Sequence, residues 1–160
     1  MAILHLMVGL PCSGKTTAAR ALEARYSALR LTTDEWHVRL FGDDYGDADD
    51  LGHDRHNRRH GALESLLWDV AARTLVLGVD VVLDFGCWTR SEREEFRARA
   101  HRQGAGFRIH FTDASEDVLL ARLTARNADL PEGTFRIPER ELKEWIGLFE
   151  RPSKDELESS

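Results

Sequence analysis

The stretch Gly9-Leu10-Pro11-Cys12-Ser13-Gly14-Lys15-Thr16 limits this chain more than any other. It fits G-x-x-x-x-G-K-[ST], the phosphate-cradling P-loop. It follows a short apolar run, Ile3–Val8, and opens onto KTTAARALEARY, whose apolar residues recur at helical spacing. Strand, glycine-rich loop and helix are the context this motif requires. Glycine at 9 and 14 lets backbone N–H groups approach an anion with no side chain between them, and the helix turns the positive end of its dipole toward it. Lys15 is placed to reach the β- and γ-phosphates, and the Thr16 hydroxyl is a hard oxygen ligand for Mg²⁺. The expected nucleotide-binding set is Gly9, Pro11, Cys12, Ser13, Gly14, Lys15, Thr16 and Thr17, with ATP and Mg²⁺ as cofactors. Lysine is otherwise scarce. Of 22 Lys and Arg residues only Lys15, Lys143 and Lys154 are lysine. Inside the loop a compact ammonium fits where a guanidinium is too broad.

The rest of the chain alternates between strand and helix signals. Leu29–Leu31 reads as strand 2, followed by a helix that starts at or just after Asp34. Gly42–Asp50 is an acidic loop, and a long helix runs from about Asp54 to Leu77 with Leu63, Leu66, Leu67, Val70, Ala71 and Leu75 on its inner side. Val79–Asp84 is strand 3. Ser91–Arg102 is a helix whose Ser91 and Glu94 have capping-box spacing. Phe107–Thr112 is strand 4, Ser115–Arg126 a helix capped by Ser115, and Pro138–Phe149 the last helix. Strands alternating with helices imply a parallel sheet covered on both faces. The expected fold is α/β, a P-loop NTPase three-layer sandwich with a mainly parallel sheet in the order 2-3-1-4.

At 160 residues, 42% hydrophobic and 31% charged, the chain suits one domain over residues 1–151, with a polar tail, 152–160, expected to fray. A net charge of −6 speaks against a grip on long nucleic acid, which releases counterions with a basic face. No apolar run approaches the ~18 residues of a membrane span. Residues 1–10 lack the basic leader of a signal peptide. Cys12 and Cys87 read as two free thiols in a reducing cytoplasm.

Three further sites help choose a reaction. Asp34 lies just past strand 2, at the carboxyl edge of the sheet where ligands bind, and a carboxylate there can take the proton of an attacking hydroxyl. It is also a candidate N-cap of the helix that follows. Asp84 closes the run VDVVLD, in the position of a Walker B acid that holds Mg²⁺. On spacing alone the two acids are interchangeable between these roles. Arg122 and Arg126 are four residues apart, hence on one helix face, and planar arginine donors suit the charge of a transferring phosphoryl group.

Together these residues resemble the small P-loop kinases around the chloramphenicol phosphotransferases, the zeta toxins and the kinase half of polynucleotide kinases, an AAA-type ATP-binding family. The resemblance rests on Gly9–Thr16, on the "TTD" ending in Asp34, on "VVLDFGCWTRSERE" from Val81, on "LLARLTARN" from Leu119 and on the closing "WIGLFERPSKDE" from Trp145. It implies ATP-dependent phosphorylation of a hydroxyl, with Asp34 as general base and Lys15, Arg122 and Arg126 over the phosphates. It also makes Arg39 a candidate substrate-orienting arginine.

The acceptor is read from two charge blocks and three aromatic residues. Gly42–Asp50 (GDDYGDADD) has five acids, which suits a cationic small molecule, an antibiotic among them. His53–His60 (HDRHNRRH) is basic and suits an anionic one, such as a nucleotide or a sugar phosphate. Trp36, Tyr45 and Trp88 are placed to stack on a flat acceptor alongside Asp34 and Arg39. The leading expectation is a small-molecule O-phosphotransferase. The alternatives are a kinase of a nucleotide or RNA 5′-hydroxyl, and a non-catalytic ATP-binding regulatory module.

Overall fold

A computed structural model describes residues 1–46 and 48–158. Asp47 of the acidic loop and Ser159–Ser160 of the tail lie outside the described residues. Four strands, β1 (Ile3–Val8), β2 (Leu29–Thr32), β3 (Val81–Gly86) and β4 (Gly106–Phe111), form one parallel sheet in the order β2-β3-β1-β4. The helices are α1 (Lys15–Tyr26), α2 (Thr33–Phe41), α3 (Asp50–Val76), α4 (Arg90–Arg102), α5 (Glu116–Ala128), α6 (Glu139–Leu148) and α7 (Lys154–Glu158).

The layers follow from period-2 alternation in strands buried on both faces. Leu4, Leu6 and Val8 of β1 join Leu31, Val81 and Leu83 in a core with Leu63, Leu67, Ala71 and Leu75 of α3 and Ala100 of α4. Met7 and Val82 face the other way, onto Ala19 of α1. A third cluster, built from Leu119 and Leu123 of α5, Leu142 of α6, Tyr45, Phe135 and Ile137, stands above the carboxyl edge of the sheet. Leu66, expected on the inner side of the long helix, is exposed.

Several boundaries differ from the sequence reading for identifiable reasons. β3 starts at Val81 because Asp80 caps the sheet's edge instead, its carboxylate accepting from the Ile3 N–H at 2.8 Å. β3 also runs on to Gly86, so Asp84 lies within the strand and pairs with Thr32 of β2. α4 is capped by Thr89 with Glu92, not by Ser91 with Glu94. Both pairs have the same spacing, and the earlier one closes the reciprocal box. α2 begins at Thr33 with Thr32 as its N-cap, so Asp34 sits in the first turn and does not cap the helix.

The tail is ordered over α7, contrary to the expectation that it frays. Glu156 is buried, and Arg93 of α4 donates to its two oxygens at 2.7 and 3.2 Å. Arg93 also donates to the carbonyls of Cys87, Trp88 and Glu150. Burial alone would raise the Glu156 carboxyl, but Arg93 and Ser153 hold it at about 2. This guanidinium therefore ties the end of β3 to the C-terminal segment. Removing one member of a buried pair leaves an uncompensated charge, so Glu156→Ala is expected to lower stability by about 3 kcal/mol in denaturant melts. The depressed carboxyl makes the pair's contribution full above pH 4.5 and lost as pH falls through about 2. A loss below about 0.5 kcal/mol, the ordinary size for a surface substitution, would contradict this role.

Candidate active site

The loop between β1 and α1 has the shape its sequence calls for. Gly9 has φ +155°, and a Cβ there would lie 2.6 Å from Thr112 Oγ1 and 2.7 Å from Ser13 Oγ. Gly14 has φ +95° and nothing within 4 Å, so the space in front of it is open. Cys12, between them, is held at φ +66°. Ser13 turns its hydroxyl away to Thr112, at 2.8 Å. α1 has no side-chain N-cap and no acidic residue in its first turn, which leaves its first backbone N–H groups for an anion. Lys15 Nζ lies over the loop and donates to the Leu10 carbonyl at 3.0 Å. Burial pulls this ammonium below its ordinary value, and the Asp84 and Asp34 carboxylates pull it back up. The residues present thus fit a nucleotide's phosphates.

Thr16 and Asp84 stand together. Thr16 Oγ1 donates to Asp84 Oδ2 at 2.7 Å, and Thr32 Oγ1 donates to the same oxygen at 3.2 Å. Asp84 is buried. A hydroxyl and a carboxylate beside a phosphate cradle are a hard oxygen donor set of the kind Mg²⁺ takes. From α5, Arg122 Nη1 donates to the Cys12 carbonyl at 3.1 Å. Arg126 donates from Nη2 to the Phe135 carbonyl at 2.9 Å and lies 3.9 Å from Cys12 Sγ. Among the described residues the buried Nε of Arg126 has no hydrogen-bond partner.

Two chambers open from this point. One, of about 500 Å³, runs along the loop past Cys12, Gly14, Thr17 and Arg126. The other, of about 390 Å³, runs under α3 and α6 past Tyr45, Trp88, Phe135 and Trp145. They share Pro11, Lys15, Thr16, Thr32 and Asp34 as a common wall. The Asp34 side chain is 45% exposed toward this junction and accepts from His60 Nε2 at 3.2 Å. Enclosure alone would raise its carboxyl, but the His60 bond and the charges of Lys15 and Arg126 hold it below the usual range. Burial lowers His60, and Asp34 outweighs that and raises it above 6.5. Glu64 lies 3.6 Å from the other His60 ring nitrogen.

A scan of protein families matches residues 4–152 to the AAA_33 model, an AAA domain. The chain belongs to this AAA family. None of the curated proteins matches it. Among solved structures, the AAA domain is similar to a kinase candidate from Chloroflexus aurantiacus j-10-fl, with a TM-score of 0.70, 22% identity, and coverage of 95% of this chain and 82% of that one. It is also similar to Chaetomium thermophilum Kti12 in complex with ADP-AlF3, with a TM-score of 0.68, 17% identity, and coverage of 94% and 81%. A gluconokinase from Sinorhizobium meliloti 1021 gives a TM-score of 0.60, 20% identity, and coverage of 96% and 77%. At these identities the shared property is a P-loop kinase-like fold. Among the described residues, no helix of the AAA domain is long and apolar enough to cross a membrane.

Not every sequence candidate reaches the site. Tyr45 and Trp88 line the second chamber of the AAA domain. Trp36 is exposed and lines neither chamber. Arg39 lines neither chamber; it lies in a depression that adjoins the first one through Arg20, Glu35, Glu132 and Gly133. α2 turns that arginine outward, and His60 from α3 takes the place beside Asp34.

Several members of the two charge blocks pair with each other or with the backbone. Asp43 accepts from the Arg136 N–H at 3.0 Å, and Asp49 caps α3. Asp44 Oδ1 takes His37 Nε2 at 2.8 Å and His56 Nδ1 at 2.6 Å, and Arg59 holds its other oxygen at 2.9 Å. His37, Asp44 and His56 bring three donor atoms within 4.8 Å of one another. With Arg59 on the other carboxylate oxygen, the hydrogen bonds of this trio anchor the loop to α2 and α3. The sequence reading offered His56, Asn57 and His60 only as part of the basic block His53–His60, and it missed Phe135, Glu141 and Trp145 as lining residues. For the first three the signal was available. His53, His56, Asn57 and His60 are spaced i, i+3, i+4, i+7 and share one helix face.

Proposed function

We propose that this AAA domain is a kinase that moves the γ-phosphate of ATP to a hydroxyl of a small molecule. The observation that carries this reading is the wall shared by the two chambers. A phosphate cradle and a second cavity of ligand size meet at one carboxylate, Asp34. An ATP-binding switch needs the first chamber and has no use for the second.

In this reading Asp34 accepts the proton of the acceptor hydroxyl while its oxygen attacks the γ-phosphorus. The bond from that phosphorus to the β–γ bridging oxygen breaks, and ADP leaves. Lys15, Arg122 and Arg126 hold the charge that spreads over the phosphoryl oxygens. Thr16 and Asp84 would hold Mg²⁺, which when bound neutralises phosphate charge. His60 fixes one Asp34 oxygen and leaves the other for the acceptor, a positioning role.

The His60 role has a pH signature. A histidine with a raised folded value stabilises its pair fully below 6.5, and that contribution is lost as pH rises through the raised value. Transfer is therefore expected to decline as pH rises through that raised value. His60→Gln is expected to cost about tenfold in kcat and to remove that decline. An unchanged pH profile in His60→Gln would contradict the role.

The function itself is tested by incubating the protein with ATP, Mg²⁺ and a panel of alcohols (amino alcohols, neutral sugars, sugar acids and nucleosides), read by the mass gain of one phosphoryl group. Acceptor-dependent ADP formation with a phosphorylated product is the expected result. ATP binding with no product from any class would favour the regulatory reading.

A further inference from the structure

We propose that the acceptor of this AAA domain is an amino alcohol, and that Glu141, framed by Tyr45, Trp88 and Trp145, holds its ammonium group. This rests on the kinase reading for the fate of the hydroxyl, while the ammonium site stands on its own geometry.

Glu141 and Trp145 are one turn apart on α6 and both face the acceptor chamber. The Tyr45 hydroxyl donates to Glu141 Oε2 at 3.0 Å, which fixes the carboxylate in the wall. The Glu141 side chain is only 12% exposed, and Arg140 reaches its Oε1 at 3.4 Å from a side chain that is 77% exposed. An exposed contact of that length leaves most of the carboxylate's charge uncompensated. Burial pushes the Tyr45 hydroxyl up, and the Glu141 and Glu144 charges push it further, so this end of the chamber is negative.

The aromatic frame is continuous. The Tyr45 and Trp145 rings are 5.9 Å apart, and the Trp145 and Trp88 rings 5.4 Å apart, each pair tilted. Aromatic faces around a carboxylate are the chemistry that recognises an ammonium group. Among the described residues that line the chamber, the only lysine or arginine is Lys15, at the phosphate end. The opposite wall carries histidines, and the charge that His60 holds faces Asp34 and not Glu141. Burial lowers His56, and His60 is committed to Asp34. An anionic acceptor would meet Asp34, Asp84 and Glu141 with no arginine to receive it. The acidic loop that first suggested a cationic acceptor is thus not the feature that supports one. The acid is Glu141, far along the chain.

The test uses matched pairs. Phenylalaninol and kanamycin are each offered beside the N-acetylated form, which keeps the hydroxyls and removes the charge. Wild-type protein is expected to phosphorylate the amine form of at least one pair with a KM at least about tenfold below that of its N-acetyl partner. Glu141→Gln keeps an oxygen for Tyr45 and is expected to raise the KM for the amine and bring the ratio toward one. Thermal melting and ATP titration of the same variant report whether it is folded. Calorimetric titration of the same compounds into protein saturated with a non-hydrolysable ATP analogue separates the two readings. Amine binding that Glu141→Gln abolishes, without transfer, would leave the ammonium site standing and defeat the kinase reading. Transfer to neutral sugars, sugar acids or N-acetylated forms in preference to amines would overturn the proposal. So would the absence of any amine binding.

Discussion

Lys15→Met is expected to weaken ATP binding and to cut transfer by about 10²–10³-fold. Methionine keeps most of the length and removes the charge. The loop would keep its glycine geometry, since the positive φ values at Gly9 and Gly14 do not depend on the lysine. What is lost is the one ammonium among the residues shared by both chambers. Because burial already pulls this ammonium below its ordinary value, a phosphate ligand should raise it and bind more tightly for doing so. Titration of ATP into wild type and Lys15→Met, with melting curves for both, measures the effect. Equal ATP affinity would remove Lys15 from the cradle.

Asp34→Asn is expected to separate binding from chemistry. The amide keeps the size and can still accept from His60, but it cannot take a proton. Transfer should fall by about 10²–10⁴-fold, the usual share of a general base. ATP affinity should change little. The contrast between the two variants is the informative part, because Lys15→Met damages both quantities and Asp34→Asn only one. A variant that lost ATP binding with Asp34→Asn would place this carboxylate in the cradle and not at the acceptor.

What the sequence tells plainly is what is local. The strand, the P-loop and α1 are consecutive in the chain, so a single window holds both the motif and its context. The alternation of buried runs with helical spacing likewise yields the four strands, and their order is what the resemblance to P-loop kinases implies. Asp84 and Thr16 are legible as types at expected positions, although 68 residues separate the hydrogen-bonded pair. The contacts that complete the site are long-range and carry no motif. His60 meets Asp34 across 26 residues, and Tyr45 meets Glu141 across 96. Arg93 resembles the other arginines in the sequence, and only the packing of α7 across 63 residues shows that it is buried. The charge blocks mislead for the same reason. Read singly, each looks like a solvated surface that could attract a ligand, but folded together Asp44 faces His37, His56 and Arg59. Trp36 is expected at the site as a stacking aromatic and Arg39 from the family resemblance, and neither signal fixes a direction on the helix. The 100° turn per residue of α2 carries both residues out of the chamber.

The central claim is that Asp34 stands between a nucleotide and an acceptor hydroxyl and moves the proton that lets phosphate pass from one to the other. It is tested most directly by following γ-labelled ATP with wild type and Asp34→Asn, on the best alcohol from the panel, while ATP affinity is measured on the same samples. Label on the alcohol with wild type, a loss of that label with Asp34→Asn, and matching ATP affinities are the expected results. Full transfer by Asp34→Asn, with nucleotide binding intact, would contradict the claim.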